Sequence, residues 1–389
     1  MANRKDSNGR VLKTGESQRK DGTYMYRYTD IRGARQCVYA PDLHELRDKE
    51  KTIQRSLSDG VNYTDGSITV QELTEKYLST KIGIRDSTKA GYELNLKIIT
   101  RYDFSQLKIR NVKMSDAKLF VVTLYKDGIS YGRIHYIRAI LSPAFKMACE
   151  ENCISKNPFS FTLSSVIPND SKVRPALSAL QQENLIAFIK KNQFYRKYFD
   201  MINVLLWTGL RVSEYCGLTI DDIDFVNRKI SVNKQLVYGQ NRKLRIAPPK
   251  TKTSVRDIPI TDKIYGSLKN LVDSAKQSNI INAVDGYCGF IALKPNGKVQ
   301  MYLDLDMLFK RIKKAYNKAN PQNPVDNFSP HILRHTFCTN MIDYGLDVKS
   351  LQYIMGHSNA TITLNVYAHA SYDNASQKIF DLIDGKHAV

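Results

Sequence analysis

The chain has 389 residues, enough for two or three domains, and its 42% hydrophobic content allows ordinary cores while excluding a disordered or fibrous protein. Its 58 Lys and Arg against 38 Asp and Glu leave a formal net charge of +20, an excess that favours a polyanionic partner. No apolar run reaches bilayer-spanning length and the opening Met1-Ala2-Asn3-Arg4-Lys5 lacks an apolar signal core, so nucleic acid is preferred to a membrane surface, and a cytoplasmic, nucleoid-associated location is expected.

Residues 1–62 read as a first, small α+β unit. Its first 36 residues hold nine basic side chains against four acidic ones. Thr23–Tyr28 alternates as a strand, Asp30-Ile31-Arg32-Gly33 turns, Gln36–Tyr39 predicts another strand, and Leu43–Leu57 a charged helix. Basic and aromatic residues interleaved on strands suit contact with DNA backbone and grooves; a solvated strand face is the plain alternative.

Gly60–Ser67 reads as a linker. Residues 67–165 predict an all-helical unit. Thr69 and Glu72 form a capping box ahead of Val70, Leu73 and Tyr77. Ser87 opens a helix with Tyr92 and Leu96, and Ser115 one with Leu119, Val122 and Leu124. Gly132–Glu151 forms a long helix burying Ile137, Ile140, Leu141 and Phe145. Cys149 and Cys153, four apart, are expected on one helix face. The six cysteines are scattered with no CxxC pair, which fits reduced thiols and no cysteine zinc site.

Residues 174–389 predict a third unit, mainly helical with a small antiparallel sheet. Ser178 and Gln181 cap its first helix, an apolar helix covers Phe199–Trp207, and strands fit Lys229–Val237, Lys243–Ala247 and Arg256–Ile260.

Four segments of this unit carry chemistry. In Thr208–Leu218, Gly209 ends the apolar helix and Arg211 starts the next, able to aim its forked donors into a cleft. Pro249–Pro259 reads as a hairpin with a basic tip, where Lys250 or Lys252 could reach a phosphate or donate a proton. In Ser329–Thr339, Pro330 suits a helix start, and His331 and Arg334 share a face where the helix N-terminus adds positive potential. His331 and His335 have a zinc-helix spacing, but Ile332 stands where a metalloprotease carries glutamate. In Leu351–His369, Gly356-His357 ends a helix and Tyr367 lies on the next. Each segment alone has an ordinary reading as a helix start or solvated turn.

Together, Thr208-Gly-Leu-Arg-x-Ser-Glu214, Pro330-His-x-Leu-Arg-His-Thr336, Met355-Gly-His-Ser358 and Tyr367-Ala-His369 resemble the tyrosine recombinase family in kind and order. Leu12–Gly22 and Leu351–His357 look most like the integrases of conjugative transposons. The resemblance implies an arm-type DNA-binding domain, a core-binding domain and a catalytic domain. It implies Tyr367 as nucleophile, forming a 3′-phosphotyrosine and freeing a 5′-hydroxyl. Arg211 and Arg334 would clamp the phosphate, with His331 as base or phosphate ligand and His357 as a phosphate donor. Lys252 would be the general acid, with Lys250 as competitor. Glu214 would orient the site from behind. No metal and no ATP are expected.

The resemblance also implies double-stranded DNA at element ends and target, dimers then tetramers around a Holliday junction, and a C-terminal helix over Ser371–Ile383 docking on a neighbouring protomer. An excisionase and a host DNA-bending protein are candidate partners. His357 and Tyr367 are ten residues apart where many members place them nine apart, which leaves Tyr353 and Tyr372 as alternatives. A non-catalytic DNA-binding regulator and a type IB topoisomerase are the competing readings.

Overall fold

The computed structural model describes residues 4–30, 33–58, 67–171, 175–239, 243–249, 251–359 and 364, without the side chains of Ser56 and Lys252. The chain divides into two compact units, 1–172 and 173–389. Among the described residues no helix is long and apolar enough to cross a membrane.

The first unit contains two separate cores. One belongs to an antiparallel sheet, β1 (Glu16–Gln18), β2 (Tyr24–Thr29) and β3 (Arg35–Ala40), packed on α1 (Leu43–Ser58). β2 alternates as its sequence predicts. Tyr24, Tyr26 and Tyr28 bury on one face against Leu43, Leu46 and Ile53, while Arg27 is exposed on the other. Arg35, Cys37 and Tyr39 of β3 are exposed too, and the Arg19 guanidinium lies 5.3 Å over the Tyr39 ring.

The other core is helical: α2 (Val70–Ser79), α3 (Asp86–Ile99), α4 (Met114–Lys126) and α5 (Tyr131–Glu150). Thr69 and Glu72 form the predicted capping box of α2. On α3 the expected Tyr92 and Leu96 are half-buried and share a face with the buried Asn95 and Ile99. On α4 the expected Leu124 is buried with Phe120 and Val121, but Leu119 is 65% exposed, a face misplaced by about a residue. Cys149 and Cys153 do not share a helix, because α5 ends at Glu150 and Asn152 takes a positive φ of 57°.

The second unit is built around α7 (Phe199–Thr208), buried almost all round by Met201, Ile202, Val204, Leu205 and Leu206. α6 (Ala179–Lys191), α8 (Val212–Gly217), α9 (Asp262–Lys276), α10 (Tyr302–Ala319) and α11 (Pro330–Asp343) join it, and α12 (Val348–Met355) follows. Two small antiparallel sheets flank them: β4 (Ile223–Asp224), β5 (Lys229–Val232) and β8 (Arg256–Pro259) form one, β6 (Gln235–Tyr238) and β7 (Leu244–Ala247) the other.

The predicted strand 229–237 is therefore two strands in two sheets. The break falls at Asn233-Lys234, where the buried Lys234 ammonium turns in to Asp222. Residues 249–259 are not a hairpin either, since β7 pairs with β6 and β8 with β5. The basic tip is a connection between sheets.

Candidate active site

Three chain reversals meet here. The first follows α7. Gly209 ends that helix at φ 63°, and a Cβ there would stand 2.4 Å from the Phe337 ring, so both conformation and space demand glycine. The reversal delivers Arg211 to the start of α8. Glu214 accepts the Arg211 backbone N–H at 2.9 Å and its guanidinium at 2.6 Å. Arg211 Nη2 also donates to the Gly356 carbonyl at 2.7 Å.

The second reversal begins α11, where the Ser329 hydroxyl accepts the Ile332 N–H and Pro330 fills the first turn. His331 is exposed on that turn, whereas Arg334, three residues on, is buried. Arg334 donates to the carbonyls of Gly209 and Met355. The third ends α12 at Gly356, φ 60°. A Cβ on Gly356 would come within 3.1 Å of the Arg256 guanidinium and 3.2 Å of Ser254 Cα. His357 follows directly.

Both arginines are thus seated on carbonyls left over at helix C-termini, groups that favour a cation. Arg211, Glu214, Arg334 and His357 come together from segments nearly 150 residues apart in the chain.

Charge here is deliberately unbalanced. Burial alone would raise the Glu214 carboxyl; Arg256, then Arg211, outweigh it and hold it below its ordinary value. Burial, then the neighbouring Arg211, pushes Arg334 down to about 9. Burial and the repulsion of Arg334, Arg211 and Arg256 push His357 down to about 4. His357 is therefore neutral at pH 7, a hydrogen-bond donor without charge. Three arginines against one glutamate leave a net +2, which an anion would relieve.

The sequence reading missed Arg256. Its guanidinium is fully buried and holds both Glu214 oxygens, at 3.2 and 3.0 Å. It also donates to the carbonyls of Ile354 and Ser254. The signal was present: Arg256 shares the inward register of β8 with Ile258, and a charge at an inward position requires a counter-ion.

Lys252 begins a one-turn helix, Lys252–Ser254. Ser254 is buried, its hydroxyl 3.3 Å from the Gly356 carbonyl and 3.4 Å from Arg211 Nη1, so this turn is strapped to the site. The Lys252 side chain, Lys250, Tyr367, His369, Tyr372 and the segment Ser371–Ile383 lie outside the described residues. The alternative Tyr353 is described. It is exposed, its hydroxyl accepts the Asp257 N–H at 3.3 Å, and it lines a groove with Trp207, Phe337 and Met341.

Residues 176–374, which carry this cradle, match the phage integrase family. The chain belongs to the phage integrase family. It is a tyrosine recombinase, a site-specific DNA recombinase. Residues 1–57 match the DNA binding domain of Tn916 integrase. The chain is 36% identical to a transposase from transposon Tn916 of Enterococcus faecalis, over 96% of this chain and 95% of that one. It is 26% identical to a tyrosine recombinase XerC-like protein of Caldanaerobacter subterraneus, over 93% and 97%. Among solved structures, a Tn1549 transposon integrase fragment in complex with circular intermediate DNA is 38% identical with a TM-score of 0.76, covering 80% of this chain and 99% of that one. A lambda integrase dimer bound to a core site shares the fold at 17% identity and a TM-score of 0.53, covering 77% and 95%.

Proposed function

We propose that this recombinase integrates and excises a mobile element, of the conjugative-transposon kind, by cutting and rejoining DNA through Tyr367. The observation that carries the reading is the cradle itself: Arg211 and Arg334, fixed by backbone carbonyls and net positive, are built to receive a phosphate. The Tn916 and Tn1549 relatives supply the element class.

In the chemistry we infer, Tyr367 attacks the scissile phosphorus and becomes a 3′-phosphotyrosine ester. A free tyrosine ionises near pH 10 and needs a base; His331, at the exposed mouth of α11, takes that role or holds the phosphate. Arg211 and Arg334 take the non-bridging oxygens as charge builds in the pentacoordinate transition state. His357, neutral in the free protein, donates to a phosphate oxygen. Lys252 protonates the departing 5′-oxygen, with Lys250 the competing donor. Glu214 orients Arg211 without touching DNA. The phosphotyrosine conserves the ester's energy, and the 5′-hydroxyl of a partner strand reverses the step. Arginine charge then serves where a metal would, and ATP has no step to drive.

Residues 1–62 would bind arm-type sites, 67–165 the core site, and 174–389 would carry catalysis. Protomers would pair on DNA and then form a tetramer around a Holliday junction, with the C-terminal segment docking in trans. A groove of about 840 Å³ lined by Trp207, Phe337, Met341 and Ile354 has the apolar character that Ile379, Phe380 and Leu382 would need. An excisionase and a host DNA-bending protein would set direction, and the reaction would take place in the cytoplasm, on the nucleoid.

A two-site plasmid assay tests this. A plasmid carrying both element ends should yield an excised circle with wild type and none with Arg211→Ala. Relaxation of a plasmid without ends, and no circle from one with them, would identify a topoisomerase instead.

A further inference from the structure

Arg256 has no role in the reading above, yet it is the most deeply buried charge near the cradle. Its contacts run to all three parts that must be held in register. It grips both oxygens of Glu214, the residue that holds Arg211. It donates to the Ile354 carbonyl at 2.5 Å, in the last turn of α12 before Gly356-His357. It donates to the Ser254 carbonyl at 3.0 Å, closing the turn that starts at Lys252. Arg211 and Ser254 then meet on the same Gly356 carbonyl.

Only arginine can make this arrangement. A planar fork with five donors addresses a carboxylate on one edge and two carbonyls on others; a lysine ammonium lacks the span. A Cβ on Gly356 would stand 3.1 Å from the Arg256 guanidinium, so the α12 reversal is pressed closely on this side chain.

We propose that Arg256 is a positioning residue for the phosphate clamp: through Glu214 and the α12 carboxyl end it sets where Arg211 and His357 face the scissile phosphate. It does not itself contact DNA. This rests on the recombinase reading, and its consequence is specific. Loss of Arg256 should impair neutralisation of phosphate charge in the transition state more than it impairs DNA affinity, and should do so at temperatures where the variant remains fully folded.

The experiment uses the full chain and a nicked suicide substrate carrying either the natural phosphodiester or a methylphosphonate at the cleavage position. The methylphosphonate lacks one negative oxygen and so demands less of the clamp. Arg256→Gln should lower the single-turnover cleavage rate by about 100-fold on the phosphodiester and by only about tenfold or less on the methylphosphonate. DNA affinity by gel shift should change less than about threefold, since phosphate contacts elsewhere dominate it. Arg256→Lys, which keeps one bond to Glu214, should recover part of the rate. Arg256→Gln with Glu214→Gln should be little slower than either single variant, because both act through one unit.

Equal losses on both substrates would overturn the proposal, as would a rate loss that tracks a fall in Tm or in DNA affinity, or full additivity in the double variant. No covalent adduct with wild type would instead defeat the recombinase reading, which separates the two.

Discussion

Glu214→Gln tests the electrostatic design of the site. Glu214 is 2% exposed and its two oxygens serve Arg256 and Arg211 at once, with contacts of 2.6 to 3.2 Å. Glutamine preserves the shape and can still accept the Arg211 N–H, but it leaves the buried Arg256 and the half-buried Arg211 guanidinium groups without a counter-charge. Removing one partner of a buried ion pair costs about 3–5 kcal/mol, and the retained acceptor places this substitution near the lower end, about 3 kcal/mol. Trp207, the only tryptophan, lies on α7 and reports this unit by fluorescence during urea unfolding. Sulfate should restore more stability to the variant than to wild type, because the carboxylate no longer competes for the arginines. A loss below about 0.5 kcal/mol would refute the reasoning, since that is the range of ordinary surface substitutions. So would sulfate stabilising both proteins equally.

Other outcomes follow from the same structure. The folded-state value of His357 near 4 lies below its ordinary 6.5, so the unfolded chain binds the proton first and stability falls as pH drops from about 6.5 towards 4; His357→Gln should flatten that interval in thermal melts. Glu214, held below its ordinary 4.5, contributes stability above that value and loses it as pH falls below it, from the acid end of the His357 window downward. Gly209→Ala meets a positive φ and the Phe337 ring together, and should cost about 2 kcal/mol or more, part of it regained with Phe337→Leu in the same urea assay. Lys234→Met strands the buried Asp222 carboxylate and should destabilise by about 3 kcal/mol. Binding to DNA should weaken about 10³-fold or more between 50 and 200 mM salt, measured by anisotropy, as expected if six or more phosphates are contacted.

Much of this was legible in sequence, for local physical reasons. Tyr24, Tyr26 and Tyr28 alternate, and their burial follows the two-residue repeat. The capping boxes at Thr69 and Ser178 sit where side chain and spacing demand. Gly209 and Gly356, ahead of Arg211 and His357, have the positive φ their helix-ending position implies. The misses arise where tertiary context overrides local pattern. Leu119 is apolar yet exposed, because helical spacing fixes a face only to within a residue. Lys229–Val237 reads as one strand, and nothing local reveals that Lys234 leaves it for Asp222, twelve residues earlier. Arg256 illustrates the same limit at the site. Its partners Glu214 and Ile354 are 42 and 98 residues away, so its register alone hinted at a function.

The most direct test of the central claim is covalent capture on DNA. A nicked suicide substrate incubated with wild type should give an SDS-resistant adduct, and peptide mapping should place the 3′-phosphate on Tyr367. Tyr367→Phe should bind the same DNA and give no adduct. An adduct that persists in that variant, or one that maps to Tyr353 or Tyr372, would contradict the assignment.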